Sequence, residues 1–103
     1  LGVTVLLKGS KTVVANNEII IELPTATPWL ATAGSGDVLA VIIGSLAATN
    51  EIEILNSANR FAEVAATGAF IHDQAARLAS KGGPISATSI IDYVPEAIRK
   101  ILG

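Results

Sequence analysis

Residues 32–40 read Thr-Ala-Gly-Ser-Gly-Asp-Val-Leu-Ala and place two glycines and one carboxylate where an apolar helix begins. A helix N-terminus presents unpaired backbone N–H groups and the positive end of the helix dipole, and glycine has no side chain to keep an anion away. This glycine motif therefore favours a phosphate site beside a general base. A simpler interpretation stays open, in which Ser35 is an N-cap and Asp37 a partner of the dipole.

Three helical segments are predicted from the motif onward. Residues 38–48 are apolar with almost no polar face, which predicts a buried helix. Residues 55–80 predict a long helix with a stripe of alanines on the core side and charged residues, among them Asp73 and Arg77, mostly on the other side. A last segment begins near Ser86, Thr88 or Ser89, and Pro95 starts or restarts its final turns.

Three short β-strands are predicted before the motif. Residues 3–7, 12–15 and 18–23 are β-rich apolar runs, and the turn at residues 8–11 predicts that the first two pair as a hairpin. Pro24 ends the third strand, and residues 25–33 form a loop that leads to the helix. The combination of strands and enclosed helices indicates the α/β class.

Composition excludes several kinds of function. The chain has 103 residues, a net charge of −2, 50 % hydrophobic residues and no cysteine. Seven scattered basic residues give no nucleic-acid footprint, and the longest apolar run is too short to span a bilayer. The lack of cysteine excludes disulfides and thiolate metal sites. We therefore expect no nucleic-acid or membrane partner, and a cytoplasmic location by default.

A second segment supports the glycine motif. Residues 6–15 read Leu-Leu-Lys-Gly-Ser-Lys-Thr-Val-Val-Ala, and residues 93–98 read Tyr-Val-Pro-Glu-Ala-Ile. Together with the motif they resemble the NAD(P)H-hydrate dehydratases of the ribokinase-like superfamily, over nearly the whole chain. The chain departs from that pattern at Val41, where a glycine is common, and at Trp29, where the loop usually has a small residue.

The resemblance implies a fold, an activity and a set of site residues. The fold is a three-layer α/β/α sandwich, and the enzyme uses ADP or ATP to remove water from hydrated NADH and NADPH (NADHX and NADPHX). Asp37 would contact the hydrated nicotinamide and act as the catalytic base, while a Mg²⁺ ion would bridge the nucleotide phosphates. The implied nucleotide-binding residues are Lys8, Gly9, Ser10, Lys11, Thr12, Gly34, Ser35 and Gly36.

The residue types alone leave alternatives open for the second segment. Lys8 could be a solvated strand end, Lys11 a solvated turn residue and Thr12 a β-former. His72, the sole histidine, has no carboxylate cluster at ligand spacing, which favours a half-buried histidine with satisfied hydrogen bonds. Trp29 could stack on a nucleotide ring or plug its loop onto the core.

Length indicates that the chain is part of a larger unit. A chain of 103 residues is short for a complete ribokinase-like enzyme, and this one begins at Leu1 and contains no methionine. We expect residues 1–103 to be the C-terminal part of one ribokinase-like nucleotide-binding domain. Its missing N-terminal part would supply most of the sheet and part of the substrate pocket, and the protein is expected to form a homo-oligomer.

Two other functions stay open at this point. A small-molecule kinase of the same superfamily, acting on a hydroxymethylpyrimidine, a thiazole alcohol or a sugar, would use the same base and anion site but release a stable phosphorylated product. A non-catalytic nucleotide-binding assembly module would bind nucleotide without turnover.

Overall fold

The computed structural model describes residues 3–30, 34–81 and 83–102. In this part of the chain, three strands and a short 3₁₀ turn precede four helices. The elements are β1 (Val5–Leu7), β2 (Val13–Ala15), β3 (Ile20–Glu22), the 3₁₀ turn Pro28–Leu30, α1 (Ser35–Thr49), α2 (Glu51–Asn56), α3 (Ala58–Ser80) and α4 (Ala87–Leu102). No helix in these ranges is long and apolar enough to cross a membrane.

The three strands form an antiparallel sheet in the order β1-β2-β3, which confirms the predicted hairpin. Leu6 lies opposite Val14, and Val14 lies opposite Ile21, so these side chains share one face. That face packs on α3, where Val14 is fully buried against small residues such as Ala62. The opposite face carries Ile20, which is 73 % exposed. A sheet packed on helices is compatible with the predicted α/β class.

Helix α3 is the central element, since it contacts the sheet, α1 and α4. Its small residues allow this close packing. Ala75 and Ala76 are fully buried beside Ile90 of α4, and a Cβ built on Gly68 would lie 2.7 Å from Ile43 Cγ1 of α1. The predicted small-residue stripe therefore does face the core.

Helix α1 is less enclosed than its sequence predicts. Val38, Leu39 and Ile42 are buried, but Val41 is 69 % exposed. Among the described residues the predicted burial is confirmed for one face only, because the helices that α1 contacts there, α2, α3 and α4, leave Val41 uncovered. An apolar helix face thus lies open.

The other helix boundaries differ from the prediction in two places. The long helix predicted from about residue 55 begins at Ala58, because Ser57 occupies its N-cap position with an extended backbone (φ −154°, ψ 121°) that separates α2 from α3. Helix α4 continues through Pro95 instead of restarting there. Ser86 caps α4 as one of the predicted candidates, since its Oγ accepts a hydrogen bond from the Ser89 N–H at 3.2 Å.

Candidate nucleotide site

Four residues of the predicted nucleotide segment line one cavity. Lys8, Gly9, Ser10 and Thr12 lie along one side of a space of about 560 Å³, which is within the usual range for a small-molecule site. Lys11 is exposed and lies outside this lining. We call this space the Lys8–Thr12 cavity.

The rest of the cavity wall is largely apolar and comes from the loop after β3 and from α1 and α3. A mostly apolar wall with a few polar groups suits an organic ligand with a flat ring, which the polar groups orient. The apolar lining residues are Leu23, Pro24, Ala26, Pro28, Leu30, Leu39, Ala69 and Phe70, and the polar ones outside the Lys8–Thr12 segment are Thr25, Thr27, His72 and Asp73.

Two backbone hydrogen bonds hold the Lys8–Thr12 segment against the loop after β3. The Leu23 N–H donates to the Thr12 carbonyl at 3.0 Å, and the Ala26 N–H donates to the Ser10 carbonyl at 2.8 Å. The segment and the loop therefore form one wall, continuous with the pairing of β2 and β3.

Asp73 fixes the same loop to α3. Its Oδ1 accepts a hydrogen bond from the Thr27 N–H at 2.8 Å, and its Oδ2 accepts one from Arg77 Nε at 2.8 Å. Arg77 Nη2 donates to the Thr25 carbonyl at 2.6 Å. The sequence placed Asp73 on the exposed side of the helix, and that prediction was wrong because the loop covers it. The ion pair of Asp73 with Arg77 could have been predicted from the sequence, because residues four apart in a helix lie on the same face.

The glycine motif is described from Gly34 onward, and Thr32 and Ala33 lie outside the described residues. Gly34 occupies the N-cap position of α1 in a left-handed conformation (φ 84°), which only glycine adopts without strain. The Ser35 Oγ donates to the Leu30 carbonyl at 2.7 Å, so the interpretation of Ser35 as the N-cap was wrong. A Cβ on Gly36 would meet nothing within 4 Å among the residues that the structure describes. The space beside Gly36 is therefore free.

Asp37 lies in the first turn of α1 with an exposed side chain. It lines a second, apolar groove of about 450 Å³ between α1 and α4, together with residues that include Val41, Ile91 and Pro95, and it is outside the Lys8–Thr12 cavity. The start of α1 stands between the two spaces. Ser35 contacts Leu30 of the cavity wall, and Asp37 follows two residues later at the groove.

His72 is the most enclosed polar side chain in the cavity wall. It is 1 % exposed, and its Nε2 has no hydrogen-bond partner among the described residues. Burial is the main cause that lowers the pKa of His72 below its ordinary value of 6.5, and the charge of Lys8 lowers it further. The Ser35 backbone and the charge of Asp73 raise this pKa, but their effect is smaller. The prediction of a half-buried histidine with satisfied hydrogen bonds was therefore wrong, because His72 is fully buried and its Nε2 lacks a partner among the described residues. The predicted position of His72 on the core-facing stripe of α3 is confirmed.

The described side chains do not form a metal site of their own. Within residues 3–30, 34–81 and 83–102, no group of three or more His, Asp or Glu side chains could hold a metal ion. The predicted Mg²⁺ would depend on nucleotide phosphates for its ligands, and it stays a prediction.

Comparison with known proteins identifies the family of the chain. The model of the NAD(P)H-hydrate dehydratase family matches residues 1–96. The bifunctional NAD(P)H-hydrate repair enzyme Nnr of Corynebacterium glutamicum is 35 % identical over 111 residues, covering 94 % of this chain and 19 % of that protein. The enzyme of the same name from Mycobacterium leprae is 39 % identical over 103 residues, covering 94 % of this chain and 20 % of that protein.

A third relative is named for the nucleotide that it uses. The ADP-dependent (S)-NAD(P)H-hydrate dehydratase of Neisseria meningitidis is 38 % identical over 99 residues, covering 95 % of this chain and 31 % of that protein. The chain thus spans between a fifth and a third of the length of these relatives. No solved structure gives a significant match.

The described residues form an antiparallel sheet packed on helices, compatible with an α/β protein, with a cavity of small-molecule size near a helix that has a glycine at its N-cap position. More particularly, the chain belongs to the NAD(P)H-hydrate dehydratase family, since the family model covers nearly all of it.

Proposed function

We propose that this chain is the nucleotide-binding part of an enzyme that removes water from hydrated NADH and NADPH, with ADP or ATP as the phosphoryl donor. The observation that carries the proposal is the Lys8–Thr12 cavity, which gathers four of the predicted nucleotide residues in a chain of this family. Lys8 supplies a positive charge for phosphate at the rim, and the apolar wall supplies a surface for the base.

The start of α1 provides the reacting end of the site in this proposal. A nucleotide in the cavity would direct its phosphates to the N–H groups of Gly34, Ser35 and Gly36, where helix polarity and the free space beside Gly36 favour an anion. The hydrated nicotinamide would approach from the Asp37 side of the helix. The two spaces on either side of α1 would then serve the two substrates.

The chemistry follows from the poor leaving ability of hydroxide. Asp37 accepts the proton of the hydrate hydroxyl as the hydroxyl oxygen attacks the terminal phosphoryl group, whose bond to the rest of the nucleotide breaks so that AMP leaves from ADP, or ADP from ATP. The backbone N–H groups hold the charge on the transferred group. The C–O bond of the phosphate ester then breaks while the adjacent ring carbon loses a proton, so that inorganic phosphate leaves and the double bond of the dihydronicotinamide is restored. A Mg²⁺ ion bound to the nucleotide would lower the charge repulsion among the phosphates.

We further propose that the chain belongs to a ribokinase-like three-layer sandwich. The outer face of the sheet supports this, because Val5 and Ile20 are exposed apolar residues on a face that a second helical layer would cover. The exposed apolar face of α1 at Val41 fits the same expectation.

The experiment that tests the proposed activity is the recovery of NADH absorbance from hydrated NADH. The full-length protein that carries this chain would be assayed with ADP, with ATP and with no nucleotide, each with Mg²⁺ present. We expect recovery with one nucleotide and none without nucleotide. A folded protein that binds nucleotide but gives no recovery would contradict the dehydratase assignment, and a stable phosphorylated product would favour a small-molecule kinase.

A further inference from the structure

His72 lines the Lys8–Thr12 cavity, and its buried Nε2 atom has no part in the proposed function. Buried polar side-chain atoms in folded proteins nearly always have a hydrogen-bond partner, because an unpaired one lowers stability. The neighbouring buried carboxylate shows the contrast, since both oxygens of Asp73 are engaged, by Thr27 and by Arg77. His72 Nε2 has no such partner among the described residues.

The environment of His72 indicates which ring nitrogen can accept a hydrogen bond. The Ser35 backbone raises the pKa of His72, which is the effect expected of a carbonyl oxygen that accepts from a ring N–H. Because Nε2 is unpartnered, we assign that N–H to Nδ1. The neutral ring then carries its lone pair on Nε2, which is an acceptor and needs a donor.

We propose that His72 Nε2 accepts a hydrogen bond from the nucleoside half of a nucleotide bound in the Lys8–Thr12 cavity. This inference rests on the proposed function. Phosphate oxygens are acceptors, so the donor is an N–H of the adenine amine or a ribose hydroxyl. The apolar residues that line the same wall, Leu39, Ala69 and Phe70, offer the base a surface next to this acceptor.

Nitrogen NMR of the imidazole ring tests the contact in the unsubstituted protein. His72 is the sole histidine of these 103 residues, and the ring signals that disappear in the spectrum of His72→Gln are its own. The protein is titrated separately with adenosine, AMP, purine riboside and pyrophosphate. We expect the Nε2 resonance to move upfield with adenosine and AMP and to stay in place with pyrophosphate.

The purine riboside arm identifies the donor. Purine riboside lacks the amine and has no other N–H on its base, so an Nε2 shift that persists with it assigns the donor to ribose, and a shift that is lost assigns it to the amine. Amide shifts at Gly9 and Ser10 report binding independently. If those amides respond to AMP while Nε2 does not, the inference is wrong and the proposed nucleotide site stands. If neither responds, both are wrong. An equal Nε2 response to pyrophosphate would also overturn the inference.

Two substitutions separate contact with the ligand from support of Ser35. His72→Gln can place an amide oxygen near the position of Nε2, whereas His72→Asn can place an amide N–H near Nδ1 and has nothing at Nε2. If the contact is made, AMP binds about three- to tenfold more weakly to the Asn variant and is less affected in the Gln variant. The opposite order in calorimetric titration would show that His72 acts through Ser35 and would overturn the contact.

Discussion

The Asp73 carboxylate holds the backbone N–H of Thr27 at 2.8 Å, and 46 residues of sequence separate the two. This bond joins the middle of α3 to the loop that forms one wall of the Lys8–Thr12 cavity. Arg77 extends the connection to the Thr25 carbonyl. The shape of the cavity therefore depends on a long-range polar contact as well as on the sheet.

Replacing Asp73 with alanine is expected to lower the free energy of unfolding by about 2–3 kcal/mol, because it leaves the Thr27 N–H buried without an acceptor. Asp73→Asn is the matched control, since its amide oxygen can still accept from Thr27. It loses the ion pair with Arg77, whose side chain is 47 % exposed, and should cost about 1 kcal/mol or less. Chemical denaturation measures both, and equal losses would contradict the assigned role of the Thr27 bond.

Local sequence signals predicted the elements but not the contacts between distant elements. The β-rich runs and the helix at Ser35 follow from periodicity, glycine placement and proline, which are local properties. Asp73 was misplaced because helical periodicity does not show that a loop 46 residues earlier folds over it. The exposure of Val41 was not predicted for the same reason, since the apolar sequence of α1 does not show which other elements pack against each of its faces.

The candidate site was predicted in part. The Lys8–Thr12 segment and the glycine motif were found from residue types and resemblance, and the structure brings four residues of the segment to one cavity. His72 and Asp73 were missed as cavity residues. They reach the cavity through tertiary packing of α3, and a single histidine or an i, i+4 ion pair is too common a pattern to indicate a site.

Gly68 and Gly44 form a matched pair of helical glycines. A Cβ on Gly68 would lie 2.7 Å from Ile43 Cγ1, whereas one on Gly44 would meet nothing within 4 Å. We expect Gly68→Ala to lower stability by about 1–3 kcal/mol, because α1 must move away from α3. Gly44→Ala should raise stability by about 0.5–1 kcal/mol through helix propensity. Thermal or chemical unfolding measures whether each variant is more or less stable. A stabilised Gly68→Ala protein would show that the Ile43 side chain can move aside at little cost.

Gly34 and Gly36 of the motif are expected to contribute differently to stability and to nucleotide binding. Gly34→Ala should cost about 1–2 kcal/mol, because φ is 84° there and the new Cβ would lie 3.2 Å from Ala87 Cβ. Gly36→Ala should leave stability unchanged or raise it by up to about 1 kcal/mol, because its surroundings are open. It should still weaken nucleotide binding, since the methyl group enters the anion site. Unchanged binding in a folded Gly36→Ala protein would place the phosphates elsewhere.

The lowered pKa of His72 predicts a dependence of stability on pH. In the folded state, burial and Lys8 hold the ring neutral below its ordinary pKa of 6.5, whereas the unfolded ring takes up a proton as the pH falls through that value. The unfolded state then binds more protons, so stability decreases from about pH 6.5 downward until the folded ring also protonates. Denaturation between about pH 7.5 and pH 5 measures this slope. The His72→Gln protein is the control, and an identical slope in both would contradict the prediction.

Asp37→Asn separates chemistry from binding, because the Asp37 side chain is exposed and lies outside the Lys8–Thr12 cavity. Asparagine keeps the size of the side chain but cannot accept a proton at neutral pH. We expect nucleotide affinity and unfolding free energy to change little, while the rate of NADH recovery falls by about 10²–10⁴-fold. Calorimetric titration with nucleotide and the absorbance assay are run on the same preparation. A parallel loss of affinity and turnover would show that Asp37 supports the start of α1 and is not the base.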